Sequence, residues 1–235
     1  MLFDEPYYIK INEVRWRIAK HVLDEICLKN KQHLSTCIDV GCGPGWFTEK
    51  LLALEMSVIG LEGRLELVQE AKRRLPETKF YHIDVESKTQ ILSIPAADLV
   101  FCFGLLYHTE NPFRVIRSLS ILTKKVLFIE SIIIPESTPI TWLVEEGKNV
   151  TQGLTHLAMI PSRTCVIKML QSSGFEYVYE YLGKIEHNDF IETDTRYKRR
   201  GIFIASRDSL IINDFVLLSV ITTPKYDFSK NKSNK

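Results

Sequence analysis

Between residues 36 and 206, short apolar runs alternate with stretches of helical spacing, and this alternation restricts the chain to one class of fold. The runs at 36–40, 57–61, 79–83, 97–103 and 126–134 are the length of strands. Several are apolar at nearly every position, as in a parallel sheet covered by helices on both faces. Helical spacing at 46–54, 65–75 and 112–122 supplies the covers. The last of these opens with Asn111 as N-cap and Pro112 at its first position. Ahead of the first run, Ile11, Val14, Ile18, Val22 and Ile26 recur at threes and fours, the period of an amphipathic helix. Pro161 and Ser162 open a further helix that Gly174 ends, and strands are predicted at 175–182 and 201–206. The expected fold is a doubly wound, Rossmann-like α/β domain, its seven-stranded sheet mostly parallel with an antiparallel hairpin at one edge.

This pattern divides the chain into an N-terminal helical segment (1–33), the α/β domain (34–207) and an apolar add-on with a disordered, lysine-rich tail (208–235). Residues 135–160 show no clear period, and a loop of that length inside a domain is expected to be a lid over an acceptor. Residues 210–223 suit an edge strand, a docking helix or a homodimer contact.

Composition excludes several classes. Thirty basic side chains against 29 acidic ones leave a net charge of +1, which argues against a protein whose main work is gripping nucleic acid. The five cysteines form no C-x-x-C pair, so neither a disulfide framework nor a metal site is expected, and buried thiols in a reducing cytoplasm fit best. No apolar stretch reaches the roughly 18 residues of a membrane helix, and none resembles a signal peptide.

The chemistry concentrates where the first strand ends. Gly41, Gly43 and Gly45 occur at alternate positions between that strand and the next helix, with Cys42 inside the loop and Trp46 opening the helix. Glycines there permit φ > 0 and let a ligand lie on the main chain. A Rossmann dinucleotide loop spaces its glycines G-x-G-x-x-G, whereas here the third comes one residue early. Asp39 precedes the loop by two residues, a poor neighbour for pyrophosphate but a suitable one for an amine or sulfonium. Glu62 ends the second strand, where such folds place the acid that binds ribose hydroxyls. Asp84 and Val85 follow the third strand, and Asp84 suits an adenine amino group.

IDVGCGPGWFT at 38–48, Glu62 and Asp84 together resemble class I S-adenosylmethionine-dependent methyltransferases over about 34–207. The resemblance implies S-adenosyl-L-methionine as cofactor, held by the residues above and Phe103. GLLYHTENP at 104–112 is similar to the fourth motif of a subgroup that includes tRNA uridine carboxymethyltransferases and small-molecule methyltransferases. In that fold the loop after the fourth strand faces the departing methyl. His108 is then the candidate base, Tyr107 a partner for the sulfonium, and Glu130 a group to orient a hydroxyl or amine.

Trp142 and His156 are further candidates for acceptor contact, and the run from Arg196 to Arg200 suits an anionic substrate. The preferred partner is a small or carrier-bound metabolite with an oxygen, nitrogen or carboxylate acceptor. Alternatives are a tRNA-base modifier, a non-catalytic scaffold of the same fold and a nicotinamide-dependent reductase.

Overall fold

The computed structural model describes residues 2–31, 33–191, 199–223 and 225. A long helix α1 (Pro6–Lys29) precedes the alternating core. Then follow β1 (Thr36–Val40), α2 (Trp46–Leu52), β2 (Ser57–Glu62), α3 (Leu65–Arg74) and β3 (Lys79–His82). A single turn α4 (Lys88–Ile91) leads to β4 (Ala97–Phe103), α5 (Pro112–Leu122) and β5 (Thr123–Ile132). A separate hairpin, β6 (Thr141–Glu145) with β7 (Leu157–Pro161), stands before α6 (Arg163–Gln171), β8 (Tyr177–Tyr181), β9 (Arg200–Ser206) and β10 (Phe215–Leu217).

The main sheet runs β10-β8-β9-β5-β4-β1-β2-β3. The pairs from β5 to β3 are parallel, and β9, β8 and β10 complete the sheet antiparallel. The doubly wound expectation therefore holds, with one strand added. Of the three alternatives for 210–223, the structure has an edge strand, β10, on β8. Leu218 and Ile221 pack on the core from that segment, while Val216 and Val220 stay exposed.

Burial on both faces explains why the central runs read as continuous apolar stretches. β4 is buried at all seven positions. One face meets α5 and α6 through Val115, Leu119, Val166 and Leu170. The other meets α1 and α2 through Ile18, Val22, Ile26 and Leu51, around a cluster in which Phe101 and Phe103 stack at 4.1 Å. Asn111 Oδ1 accepts from Arg114 N at 3.0 Å, and Ser162 Oγ from Cys165 N at 3.1 Å, so both expected N-caps form.

Two expectations need correction. Residues 135–160 are not irregular throughout, because β6 and β7 pair in register from Thr141↔Pro161 to Glu145↔Leu157. β6 is exposed at four of its five positions, and exposure removes the in-and-out pattern by which a strand is read. Nor are all five thiols buried: Cys27 is exposed, since Val22, Leu23 and Ile26 take the inward positions of its helix. The polar tail beyond Lys225 and residues 196–198 of the basic run lie outside the described residues. Among the described residues no helix is long and apolar enough to cross a membrane.

Candidate active site

The strand order reverses between β1 and β4, and the loops leaving these strands diverge to open a cavity at their carboxyl ends. Its floor is the glycine loop. Gly41, Gly43 and Gly45 have φ of +71°, +53° and +91°, so L side chains would be strained at each. A Cβ on Gly41 would also press on Leu105 at 3.0–3.2 Å. Gly41 N and Cys42 N both donate to Leu61 O, at 2.8 and 3.1 Å, which fastens the loop to β2.

Gly41, Cys42, Gly43, Trp46, Glu62, Asp84, Val85, Phe103, Tyr107 and His108 all line this one cavity. Glu62 Oε2 accepts from Gly43 N at 3.0 Å and Oε1 from Arg64 N at 2.8 Å, so the acid also shapes the loop. Burial raises its pKa against those two backbone N–H groups. Gly45 lies outside the lining and instead lets the loop approach α3, where Leu75 and Ala71 are close.

Asp39 is not on the wall. It is 2% exposed beneath the loop and accepts from Thr48 Oγ1 at 2.6 Å, joining β1 to the first turn of α2. Burial lifts its pKa to about 7, with the Thr48 hydrogen bond opposing and the Glu62 charge adding. An unfolded aspartate titrates near ~3.9, so between about pH 4 and 7 the folded chain keeps a proton the unfolded chain has lost. Stability contributed at this site therefore falls as pH rises through that window and is level above it. Asp39→Asn is expected to flatten this slope in urea midpoints of the ligand-free protein between pH 5 and 8. An equal slope in both proteins would rule Asp39 out as its source.

Glu130, Trp142 and His156 also lie off the wall. Glu130, at 0% exposure, meets Arg15 Nη2 at 3.1 Å and accepts from Arg200 Nη1 at 2.9 Å, so it is a buried ion pair and not an acceptor contact. Trp142 is 47% exposed on β6, a strand that stands clear of the core. His156 ends the hairpin turn with φ +62°, its backbone oxygen accepting from Glu146 N at 2.8 Å. In their place the segment 150–155 lines the cavity. The cation against the Tyr107 ring is Arg200, 5.2 Å from its centroid, and the Tyr107 hydroxyl accepts from Arg200 Nη1 at 3.3 Å. Of the basic run, Arg200 is buried at the cavity wall and Arg199 is exposed.

Sequence reasoning missed the contribution of α1. Tyr8, Asn12 and Arg15 line the cavity, and Arg15 is 6% exposed with Nη1 donating to Asn12 Oδ1 at 2.9 Å. A signal existed: Arg15 stands at i+4 from Ile11 and three before Ile18, a charge on the inward stripe of the helix.

Residues 38–126 match a family model described as a methyltransferase domain. The chain is 33% identical over 124 residues to a trans-aconitate 2-methyltransferase of Methylobacterium nodulans, 50% of this chain and 46% of that one. It is 30% identical over 168 residues to a tRNA U34 carboxymethyltransferase of Pseudomonas aeruginosa, 68% of this chain and 49% of that one. It thus spans about half the length of these curated relatives. Among solved structures it resembles magnesium protoporphyrin IX methyltransferase from Synechocystis PCC 6803 with bound SAM. The TM-score is 0.54 at 20% identity, over 84% of this chain and 79% of that one. The fold is the Rossmann-like methyltransferase fold.

Proposed function

We propose that this chain is an S-adenosylmethionine-dependent methyltransferase acting on a small or carrier-bound metabolite. The observation that carries this is the convergence of the glycine loop, Glu62, Asp84, Tyr107 and His108 on one cavity. The residues fit the cofactor: Gly41 and Gly43 bring bare backbone to the cavity wall, and the Glu62 carboxylate keeps lone pairs beyond those that the loop's backbone N–H groups engage. Glu62 would hold the ribose hydroxyls and Asp84 the adenine amino group. When bound, the cofactor supplies an electrophilic methyl carbon on a sulfonium.

The remaining work falls to the chain. Tyr107 and Phe103 wall the reacting end, and His108 stands ready to take a proton from an oxygen or nitrogen acceptor. Arg15 and Arg200 bring two guanidiniums to the wall, whereas the lining acids Glu62, Asp84 and Glu86 belong to β2 and the segment after β3. β2 and β9 are four places apart in the sheet, roughly 19 Å at ~4.8 Å per strand. Acids at one end suit a cationic nucleoside, and arginines at the other suit an acceptor bearing a carboxylate. Burial disfavours the Arg200 charge, but the Glu130 carboxylate outweighs it and keeps the guanidinium above its usual range.

Isothermal titration with S-adenosylhomocysteine tests the cofactor assignment, and no binding would remove it. Glu62→Ala is expected to weaken that binding by ~1–3 kcal/mol through loss of charged hydrogen bonds. Unchanged affinity would sink the ribose assignment. Acceptors are then sought by incubating the enzyme and cofactor with carboxylated metabolites and with bulk tRNA, since one of the relatives acts on tRNA. Methylation of tRNA alone would reverse the substrate assignment.

A further inference from the structure

Glu146, the residue after β6, reaches from the hairpin to the short 3-10 turn Leu106–His108. Its Oε1 lies 2.5 Å from His108 Nδ1, and its Oε2 accepts from Gly153 N at 2.7 Å. The side chain is 9% exposed. Around this contact the 150–155 segment lies directly on the turn. A Cβ on Gly153 would come within 2.3 Å of the His108 carbonyl oxygen, so only glycine allows the backbones to approach this closely.

The segment is held from two other sides. Arg64 Nη2 donates to Gln152 O at 3.1 Å and to Gly153 O at 2.9 Å, from two residues beyond Glu62. The Tyr8 hydroxyl donates to Thr151 Oγ1 at 3.2 Å. The base of the hairpin is fixed separately, Met159 N donating to Thr109 O at 2.8 Å. One carboxylate therefore joins the candidate base to the tip of a hairpin anchored elsewhere.

We propose that Glu146 is a positioning residue that both orients His108 and latches the 150–155 segment over the cavity. The proposal rests on the methyltransferase reading of His108. An ionised carboxylate only accepts hydrogen bonds, so the nitrogen facing it must carry the proton. Nδ1 is then the donor and Nε2 keeps its lone pair. As an acceptor oxygen or nitrogen forms its bond to the methyl carbon, the carbon–sulfur bond breaks and its electron pair returns to sulfur. The acceptor's proton passes to His108 Nε2 and from there to water, while Glu146 stays ionised and stabilises the imidazolium. Opening the segment removes the Gly153 N–H that fixes the other carboxylate oxygen, so the base is fully oriented only under a closed cavity. Burial works to raise the pKa of Glu146, but the His108 hydrogen bond and charge outweigh it and hold the acid below its ordinary range.

The test uses nitrogen-15 histidine spectra and limited trypsin digestion of the full chain, wild type against Glu146→Ala and the isosteric Glu146→Gln. Wild type is expected to show His108 as the Nδ1–H tautomer, and both variants a shift toward Nε2–H. An Nε2–H wild type, or an unchanged tautomer in the alanine variant, would overturn the orienting role. Lys148 is exposed in the same turn. Loss of the two charged hydrogen bonds should speed cleavage after Lys148 by roughly ten-fold in Glu146→Ala. An unchanged rate would overturn the latch. Both readouts need no ligand. If wild type fails to bind S-adenosylhomocysteine while these shifts appear, the contact stands and the catalytic part of the proposal falls with the methyltransferase reading.

Discussion

His108→Ala is expected to slow methyl transfer by ~10²–10⁴-fold, the range a positioned acid–base group contributes. S-adenosylhomocysteine affinity should stay within about two-fold of wild type on this reading, since the imidazole acts on the acceptor. The expectation comes from geometry: His108 lines the cavity next to Tyr107, 4.1 Å between ring centroids, and its Nδ1 is engaged by Glu146. Formation of S-adenosylhomocysteine from S-adenosylmethionine in the presence of an accepted metabolite gives the rate. Wild-type turnover in the variant would reduce His108 to a wall residue. A rise in KM with kcat unchanged would make it a binding group and not a base.

Glu130→Ala should cost the fold about 3–5 kcal/mol, because it removes the carboxylate that the buried Arg15 guanidinium faces and leaves Arg200 the longer contact with Asp189. Arg15 and Arg200 are 6% and 8% exposed, and Glu130 between them is fully buried. Asp189 meets Arg200 Nε at 3.4 Å and Asn12 takes one bond from Arg15, so neither replaces the lost carboxylate. Urea unfolding followed by circular dichroism would read the loss, with Glu130→Gln retaining part of it through its amide oxygen. A cost below ~1 kcal/mol would mean that the arginines reach water through the cavity, as an exposed pair does.

Much of this architecture was legible because burial on two faces leaves a direct trace in the chain. β4 and the inner part of β5 read as strands since almost every side chain there is inside, and the loop after β1 reads as a ligand floor because its glycines are local. Glu62 and Asp84 follow from position at strand ends. The ribbon of β6 and β7 left no such trace. Four of the five β6 residues are exposed or nearly so, and its strand character comes from backbone pairing that no side-chain pattern encodes.

The same limit hid the contacts that join distant parts of the chain around the site. Glu146 and Arg64 act through contacts across 38 and 88 positions of chain, and nothing beside either residue marks its partner. Asp39 was placed at the ligand by its proximity to the glycines, yet Thr48, nine positions on, takes its carboxylate first. Glu130 likewise lies near the end of a central strand but is claimed by two arginines from α1 and β9. A strand-end acid is therefore open to a ligand only where it also reaches the cavity wall, as Glu62 does and Asp39 and Glu130 do not.

The fastening of α1 has a consequence in time. The helix leaves the ribosome ahead of the sheet, carrying Tyr8, Asn12 and Arg15, but two of its polar attachments come from much later chain. Asn30 exchanges hydrogen bonds with Ile211, 181 positions on, and Glu25 accepts from Asn213 N, 188 positions on. At ~5–20 residues per second, the interval is on the order of ten seconds or more. Until residues 211 and 213 have been added, a nascent chain lacks the bonds that tie down the far end of this helix, and until Arg200 has been added its cavity lacks a wall residue, so translation delivers the glycine loop well before it delivers a complete pocket.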